Sequence, residues 1–418
     1  MVEHVCLKCE KIFKQKSQLD AHNKRKTPCK KDGTIEKIVE QKVQEVLSTR
    51  LPLLASPDNQ VRRLNYIGSK YQLLDWIGQT IKSSTGWSSF TGRRIADLFA
   101  GTGAVSYYFR RQNAIVTAND AELYSSVITH AFTCSVWTPQ CAEFISTISS
   151  EIDLGRHSDT SGFIAQNYSP LGKDGRMYFT IENARRIDYI RQRIEDTKPT
   201  MNKHEYAFLL ASLITSADTV SNVPAVYGCY LHAFKAKAQK ALRLEPVHTL
   251  SILPADDSNV HTSDVLSRDL LSSINADAVY LDPPYNQRQY SKNYFPLNMI
   301  ALTPAEQAAE KPLTGKTGIP TTCFRSPFCR KGGEVEKAFD ILFSGLNSPW
   351  IFLSYSSESL VSRDEMVKIM EKYGNVTVVE QDYKKFKCYE YNENSTVKEY
   401  IFCLRKTLSQ SSEETIQE

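Results

Sequence analysis

The chain of 418 residues is predicted to form an α/β fold, with a doubly wound and largely parallel sheet. Three observations support this prediction. From about residue 61, short apolar runs alternate with helical patterns. The first run ends in a glycine turn that leads into a helix, which is typical of sheets that bind a ligand at the carboxyl ends of their strands. Between 140 and 260 this alternation gives way to long helical patterns, which predicts an inserted, mainly helical segment.

Six apolar runs predict the strands of the sheet. The first is followed by Gly101 and Gly103, the second ends on Asp120, and the third ends in a Pro-Pro turn. Helical patterns between the runs, such as the one at 363–373, predict the covering helices. The six runs are 93–99, 114–120, 277–282, 350–356, 376–381 and 399–405.

Composition and charge limit the classes of function that the chain can have. The hydrophobic content of 41% excludes disorder for most of the chain, and the net charge of +4 excludes a polybasic coat protein. The balance is uneven, because residues 1–31 carry a net +6 and residues 286–333 a net +5. No apolar run reaches the length of a membrane span and the start of the chain is charged, so a soluble intracellular protein without membrane contact is expected.

A candidate zinc site lies at the start of the chain. Cys6 and Cys9 have the spacing of a zinc knuckle, and His22 and Cys29 follow at distances that can close a tetrahedral site. The segment resembles a ββα C2H2-type zinc finger in which a cysteine replaces the last histidine. Zn²⁺ is therefore expected as a structural ion of the finger.

The finger offers side chains for DNA. In the ββα register, Gln15 and Gln18 occupy helix positions that meet base edges, and Lys24 and Arg25 suit phosphate contacts. A finger that binds protein stays open as an alternative. The helix predicted within 32–60 belongs to a linker, where it either self-associates or packs on the main domain.

The sequence Asp282-Pro283-Pro284-Tyr285 follows the third apolar run and has the chemistry of amine methylation. The Asp282 carboxylate and the Pro283 carbonyl can accept the two N–H bonds of an adenine amine and aim its lone pair at an electrophilic methyl group. The prolines stiffen this backbone, and Tyr285 offers a face on which a flipped base stacks. A structural Pro-Pro turn would explain only the prolines.

The glycine turn provides the expected cofactor site. Gly101 and Gly103 allow a ligand to approach the backbone before the helix, and Asp120 is placed to accept hydrogen bonds from ribose hydroxyls. The third glycine of a nicotinamide-binding motif is absent, since Ser106 occupies its place. A nicotinamide-dependent oxidoreductase is therefore disfavoured.

Together these motifs resemble the D12 class of adenine-N6 DNA methyltransferases over about 62–405. The resemblance rests on the segments 65–74, 97–103, 119–122 and 282–295, in the order of the family. It implies a Rossmann-like methyltransferase sheet that binds S-adenosylmethionine and acts on double-stranded DNA. The implied cofactor-binding residues are Tyr66, Gly68, Ser69, Lys70, Asp97, Phe99, Gly101, Gly103, Asp120, Asp264 and Asp282.

The resemblance also assigns the helical insert to target recognition. Within it, Lys235 and Lys237 are expected to follow phosphates, and Tyr227 or Tyr230 to wedge into the duplex. A solvated basic helix is the alternative for this stretch. After the tetrapeptide, Arg288 and Lys292 are expected to shape the DNA cleft.

The expected organisation follows from these assignments. It comprises a C2HC finger at 1–31, a linker at 32–60, the catalytic domain at 61–139 and 261–405, the insert at 140–260 and a disordered tail at 406–418. Three alternatives stay open, namely a catalytically degenerate DNA-binding protein, an N4-cytosine methyltransferase and an RNA methyltransferase. A cognate restriction endonuclease is a candidate partner. The expected location is the cytoplasm, nucleus or nucleoid, in a host cell if a virus encodes the chain.

Overall fold

A computed structural model of the chain describes residues 4–9, 11–25, 62–64, 66–250, 257–311, 313, 315–384 and 396–407. The chain divides into two compact units, residues 1–60 and 61–418. Cys29, the linker helix and most of the expected tail lie outside the described residues. Among the described residues, no helix is long and apolar enough to cross a membrane.

The first unit contains a small ββα arrangement. The strands β1 (His4–Val5) and β2 (Ile12–Phe13) pair antiparallel, and helix α1 (Lys16–Asn23) follows them. The Cys6 amide donates to the Lys11 carbonyl at 3.0 Å, which closes the hairpin turn. The order of elements is the one expected for a finger.

The second unit is built on a seven-stranded mixed sheet. Its order is β5-β4-β3-β6-β7-β9-β8, in which β3 to β7 are parallel and β9 runs antiparallel to both of its neighbours. The strands are β3 (Arg94–Asp97), β4 (Ile115–Asp120), β5 (Asn259–Thr262), β6 (Ala278–Leu281), β7 (Trp350–Ser356), β8 (Gly374–Lys384) and β9 (Thr396–Lys406).

The described helices of this unit cover the sheet and form the insert. They are α2 (Leu74–Thr85), α3 (Ala104–Arg111), α4 (Leu123–Thr133), α5 (Pro139–Asp153), α6 (Phe163–Tyr168), α7 (Ile181–Thr197), α8 (Lys203–Thr219), α9 (Arg268–Ser273), α10 (Tyr290–Ala301), α11 (Pro304–Ala309), α12 (Glu334–Gly345) and α13 (Arg363–Glu371). Short 3-10 turns occur at Tyr71–Leu73, Lys198–Thr200 and Pro327–Cys329.

Both faces of the sheet are buried at β3, β6 and β7, which explains why these strands are continuous apolar runs. In β6, Val279 and Leu281 pack on one face with α12, while Tyr280 packs on the other face with α2 and α3. A third core joins α4 to the helices of the insert. The insert is thus anchored by its own apolar core.

The predicted sheet agrees with the observed one, with two corrections at domain boundaries. Strand β5, which lacks an apolar run, begins at Asn259, so the insert ends before 260. Strand β9 continues to Lys406, so the tail does not start at 406. The stretch 221–250 contains no helix, so the solvated basic helix considered for residues 220–244 does not form.

Candidate active site

The predicted site residues meet at the carboxyl ends of β3, β4 and β6. The strand order reverses between β3 and β6, which is the place where doubly wound sheets bind ligands. The cleft there encloses about 1170 Å³, counting its open mouth. It is lined by the whole tetrapeptide and by every predicted cofactor residue except Gly103.

The two glycines of the turn have different tasks. Gly101 adopts a φ of +54° and lines the cleft, and an added Cβ would come within 3.1 Å of the Tyr66 ring. Gly103 adopts a φ of +73°, and an added Cβ would lie 3.0 Å from the Thr129 Cα atom of α4. Gly103 therefore serves the packing of α4 against the start of α3, while Gly101 borders the ligand space.

Asp97 offers a buried oxygen to a ligand. Its Oδ2 accepts a hydrogen bond from the Ser106 hydroxyl at 2.6 Å, while its Oδ1 has no hydrogen-bond partner among the described residues. Burial raises the pKa of Asp97 to about 7, with smaller contributions from Asp282 and Asp120, while the Ser106 hydrogen bond lowers it. A buried acceptor without a partner fits the ammonium group of a cofactor.

Asp120 is held rigidly at the end of β4. Its Oδ2 accepts the Gly101 amide at 2.8 Å and its Oδ1 accepts the Glu122 amide at 2.9 Å. Burial raises the pKa of Asp120, and these hydrogen bonds lower it. Asp120 lines the cleft, where a carboxylate can accept hydrogen bonds from ribose hydroxyls. Asp264, the most loosely matched residue, also lines the cleft and caps the Leu266 amide at 3.0 Å.

Lys70 lies on the catalytic carboxylate. Its Nζ atom is 2.9 Å from Asp282 Oδ1 and donates to the Gly68 carbonyl at 3.0 Å, with 5% of the side chain exposed. Burial raises the pKa of Asp282, while the Lys70 charge and hydrogen bonds from Lys70 and Tyr285 lower it. The sequence assigned Lys70 to the cofactor, and the structure brings its charge to the tetrapeptide.

Tyr285 is enclosed by three side chains. Its hydroxyl donates to Glu399 Oε2 at 3.1 Å, its ring centroid lies 4.7 Å from Lys70 Nζ, and its ring meets Tyr355 edge-on at 5.2 Å. Burial raises the pKa of Glu399 to about 7 and the Asp282 charge adds to this, while Lys70 and Tyr285 lower it. Sequence reasoning missed Glu399, although it is a carboxylate at the start of an apolar strand.

A second residue missed by sequence reasoning is Glu122. The Asn298 side-chain amide donates to Glu122 Oε2 at 2.5 Å, and the Asn298 oxygen accepts the Tyr124 amide at 3.0 Å. Burial raises the pKa of Glu122 to about 7, and the Asp120 charge adds to this. Its position two residues after the end of β4 could have identified it from the sequence, because that position lies on the cleft wall.

Two tyrosines of α10 hold the 66–70 segment over the glycine turn. The Ile67 amide donates to the Tyr294 hydroxyl at 2.9 Å, and the Tyr290 hydroxyl donates to the Ile67 carbonyl at 3.2 Å. The rings of Tyr66 and Tyr294 stack at 4.8 Å. These contacts place Tyr66, Gly68, Ser69 and Lys70 along one wall of the cleft.

The predicted DNA contacts of the second unit separate into two groups. Arg288 and Lys292 are exposed. Tyr227 is 1% exposed and donates to Asp218 at 2.7 Å, so its ring is not available to a duplex in this structure. Lys237 Nζ donates to the Asp218 carbonyl at 3.2 Å, at the end of α8.

Lys235 and Tyr230 likewise take part in internal contacts of the insert. Lys235 Nζ donates to the Val223 carbonyl. Tyr230 is half-buried against Tyr178, with 5.0 Å between the ring centroids. Both residues help to fold the irregular stretch after α8.

The finger brings three ligand-type atoms together. The Cys6 and Cys9 thiols and the His22 imidazole offer atoms that all lie within 4.8 Å of one another. Cys9 Sγ is 3.2 Å from His22 Nε2, and the Phe13 ring packs on His22 at 4.9 Å. Two thiols and an imidazole are the donors that zinc prefers. Gln15, Gln18, Lys24 and Arg25 are exposed.

A glycine turn at the end of β3, an acidic residue at the end of β4 and an Asp-Pro-Pro-Tyr sequence after β6 define an S-adenosylmethionine-dependent amine methyltransferase. Residues 66–369 match the D12 class of N6 adenine-specific DNA methyltransferases, and the chain belongs to this family. It is a site-specific adenine-N6 DNA methyltransferase, and both the predicted family and the predicted activity are confirmed.

Several curated proteins are similar to this chain. The Type II methyltransferase M.CviAII of Paramecium bursaria Chlorella virus 1 is 39% identical over 343 residues, which cover 82% of this chain and 98% of that protein. M.NlaIII of Neisseria lactamica is 36% identical over 351 residues, covering 82% and 100%. M.FokI of Planomicrobium okeanokoites is 32% identical over 364 residues, covering 83% and 53%.

Proposed function

We propose that the cleft methylates an adenine that has left the DNA stack, with the roles of its residues as follows. Asp282 accepts one N–H bond of the amine, the Pro283 carbonyl accepts the other, and Tyr285 stacks on the base. The observation that carries this proposal is the Lys70–Asp282 ion pair, 2.9 Å long, in the same cleft as the glycine turn. Lys70 favours the ionised form of Asp282, which can accept a hydrogen bond from the amine.

The cofactor-binding wall is assigned on the same basis. S-adenosylmethionine, when bound, supplies an electrophilic methyl group on a positively charged sulfur. Asp97 would hold its ammonium group, Asp120 its ribose hydroxyls, and Asp264 its adenine, while Gly101 leaves room for the ligand. Phe99 and Tyr66 add apolar surface to the same wall.

A methylation assay with a catalytic variant tests this proposal. We expect purified protein and S-adenosylmethionine to place N6-methyladenine in one sequence context of a plasmid, read by direct sequencing. Asp282→Ala should lower kcat by about a thousandfold, because it removes an acceptor aimed at the reacting amine. Asp364→Ala, an exposed carboxylate on α13, is the control and should be active. Ordinary turnover by Asp282→Ala would refute the assigned role.

DNA contacts are proposed for exposed cations beside the cleft. Arg288 lies shortly after the tetrapeptide and Lys292 lies in the first turn of α10, and both are exposed. Phosphate contacts by these residues would position the duplex without reading its sequence. Replacing both by Ala should raise KM for DNA and flatten its salt dependence, while an unchanged salt slope would count against such contacts.

The finger is proposed to bind Zn²⁺ through Cys6, Cys9 and His22, with Cys29 as the fourth ligand. The clustering of the first three ligand atoms within 4.8 Å supports this proposal. Titration of the metal-free chain with Co²⁺ should give thiolate-to-metal absorption that Cys9→Ser removes. Cys229→Ser alters an exposed thiol outside the finger and should leave the spectrum unchanged. A wild-type chain that shows no such absorption would overturn the assignment.

The finger is further proposed to add DNA contacts to those of the catalytic unit. Gln15 and Gln18 project from the start of α1 and are exposed, and Lys24 and Arg25 are exposed just after its end. The double variant Gln15→Ala, Gln18→Ala should weaken binding to DNA with little effect on kcat. Unchanged DNA affinity would favour a finger that binds protein.

A restriction endonuclease with the same sequence specificity is proposed as the biological partner. The relatives are named Type II methyltransferases, which supports a role in restriction and modification. The sequence context found in the methylation assay names the endonucleases to test. Plasmid methylated by this chain should resist an endonuclease of that specificity, and equal cutting of both plasmids would argue against protection.

A further inference from the structure

Glu399, a buried carboxyl group, reaches the active site from the far end of the chain. It is 7% exposed on β9, where it lies opposite Ser356, the last residue of β7. Because β9 runs antiparallel to β7, the start of β9 lies at the edge of the sheet that carries the tetrapeptide. Tyr285 donates its hydroxyl hydrogen to Glu399 at 3.1 Å. Glu399 thus fixes the polar end of the Tyr285 ring.

The Tyr285 hydroxyl has one hydrogen and two carboxyl groups that compete for it. Besides Glu399, the hydroxyl can reach Asp282, whose pKa falls when the hydroxyl donates to it instead. A hydrogen donated to Glu399 is not donated to Asp282. The contact with Glu399 therefore leaves the Asp282 oxygens to Lys70 and to an incoming amine.

The remaining neighbours fix the plane of the ring. The Tyr355 ring meets Tyr285 edge-on at 5.2 Å, and Lys70 Nζ lies 4.7 Å from the Tyr285 centroid. Removing the Glu399 contact would leave the hydroxyl free to turn its hydrogen towards Asp282, because the other two contacts involve the face and edge of the ring and not its hydroxyl.

The stability of the fold alone does not explain why a carboxyl group occupies position 399. Burial raises the pKa of Glu399 to about 7, so its ionised form destabilises the fold near neutral pH. An apolar side chain of similar volume would serve packing better. The position is more readily explained by the reaction than by the fold.

We propose that Glu399 is a positioning residue of the methyl-transfer reaction, which anchors the hydroxyl end of Tyr285 and keeps its hydroxyl hydrogen off Asp282. The proposal rests on the proposed roles of Asp282 and Tyr285. Glu399 is not among the residues that line the cleft, so it would act through Tyr285.

A double-mutant cycle tests the proposal. Glu399→Met keeps the volume and removes the acceptor, and we expect kcat to fall about tenfold with an unchanged Kd for S-adenosylmethionine. Glu399→Gln keeps an acceptor oxygen and should restore most of the rate. In a Tyr285→Phe background, which lacks the hydroxyl, Glu399→Met should cause no further loss. Glu380→Ala, an exposed carboxylate on the neighbouring strand β8, is the control and should leave kcat unchanged.

Each outcome decides for or against the proposal. Wild-type kcat in Glu399→Met, or the same tenfold loss in the Tyr285→Phe background, would overturn it. Should Glu399→Met fail to fold, Tyr285→Phe alone carries the test, and a wild-type kcat in that variant would overturn the proposal. A wild-type chain without adenine methylation would instead refute the proposed function, so the two failures are distinguishable.

Discussion

The finger and the catalytic unit are held together in different ways. In the finger, Leu7 is 98% exposed and Ile12 is 58% exposed, while Cys6 and His22 are buried. In the catalytic unit, apolar side chains fill both faces of a seven-stranded sheet. A segment of this size buries too little apolar surface to fold on that basis alone. Apolar packing therefore stabilises the second unit, whereas the proposed metal would supply the stability that apolar packing does not give the first.

Removing the metal should produce the largest difference in stability between the two units. We expect a chelator to abolish the amide-exchange protection of α1, because the finger then loses its main source of stability. The melting temperature of the catalytic unit should be unchanged, because its cores contain no proposed metal ligand. Hydrogen exchange with mass spectrometry reads both regions in one sample. Retained protection of α1 in the metal-free chain would show that the finger has sufficient packing of its own.

Replacing Lys70, the buried cation of the active site, should have the next largest effect, which is on the pH dependence of activity. Burial raises the pKa of Asp282, whereas the charge and hydrogen bond of Lys70 lower it. In Lys70→Met the pKa of Asp282 should rise, so the acid limb of kcat/KM should move to higher pH. The Tyr285 hydroxyl, which also lowers this pKa, is retained. An acid limb that stays in place would show that Lys70 does not control the charge of Asp282.

Crowding at the glycine turn should produce a smaller effect on stability. Gly103→Ala should lower the free energy of unfolding by about 1–3 kcal/mol, because it combines a left-handed backbone with a contact to Thr129. Gly86→Ala is the matched control, since Gly86 has a φ of +76° but nothing within 4 Å of its added Cβ. Urea denaturation of both variants separates backbone strain from crowding. Equal losses of unfolding free energy in the two variants would mean that α4 shifts to accommodate the added methyl group without a cost in free energy.

The pH dependence of stability should be the most gradual effect. Burial raises the pKa of Asp97, Glu122, Asp188 and Glu399 to about 7 each. These groups bind protons more tightly in the folded state, so stability should fall as the pH rises from about 4.5 to above 7, by at most about 1.4 kcal/mol per pH unit for each group.

Asp188 allows this effect to be measured outside the active site. It is 7% exposed in the insert and accepts the amides of Ile164 and Ala165 at 2.9 and 2.8 Å. Asp188→Asn should reduce the slope of unfolding free energy against pH, with urea denaturation at several pH values as the measurement. A slope that the substitution leaves unaltered would mean that Asp188 does not titrate in this range.

The sequence allowed the strands that are buried on both faces and the motifs at their ends to be predicted. Those features are local, because an apolar run or a Pro-Pro turn is visible in a few residues. Strand β5 was missed because Asn259–Thr262 is partly exposed and carries no apolar run. Glu399 was missed as a site residue because its approach depends on how the last strand pairs.

The burial of polar side chains was the other feature that could not be predicted from the sequence. Tyr227 and Lys237 have the composition of a DNA-binding surface, yet both donate hydrogen bonds to Asp218 near the end of α8. Whether a tyrosine or lysine faces solvent or an internal oxygen depends on contacts between segments that are distant in sequence. Arg288 and Lys292, in contrast, lie close in sequence to the Asp-Pro-Pro-Tyr tetrapeptide, whose position at the end of a strand could be predicted.

The placement of β9 has a consequence for synthesis of the chain. This strand lies between β7 and β8, although it is the last of the seven to be translated. Strand β8 pairs with β9 over Gly374–Lys384, and β9 alone joins it to the rest of the sheet, so β8 has no place in the sheet until residues 396–406 have been made. A nascent chain that stops before residue 396 would carry the complete tetrapeptide and the glycine turn without a finished sheet. Methylation of DNA would then begin only after strand β9 has been translated.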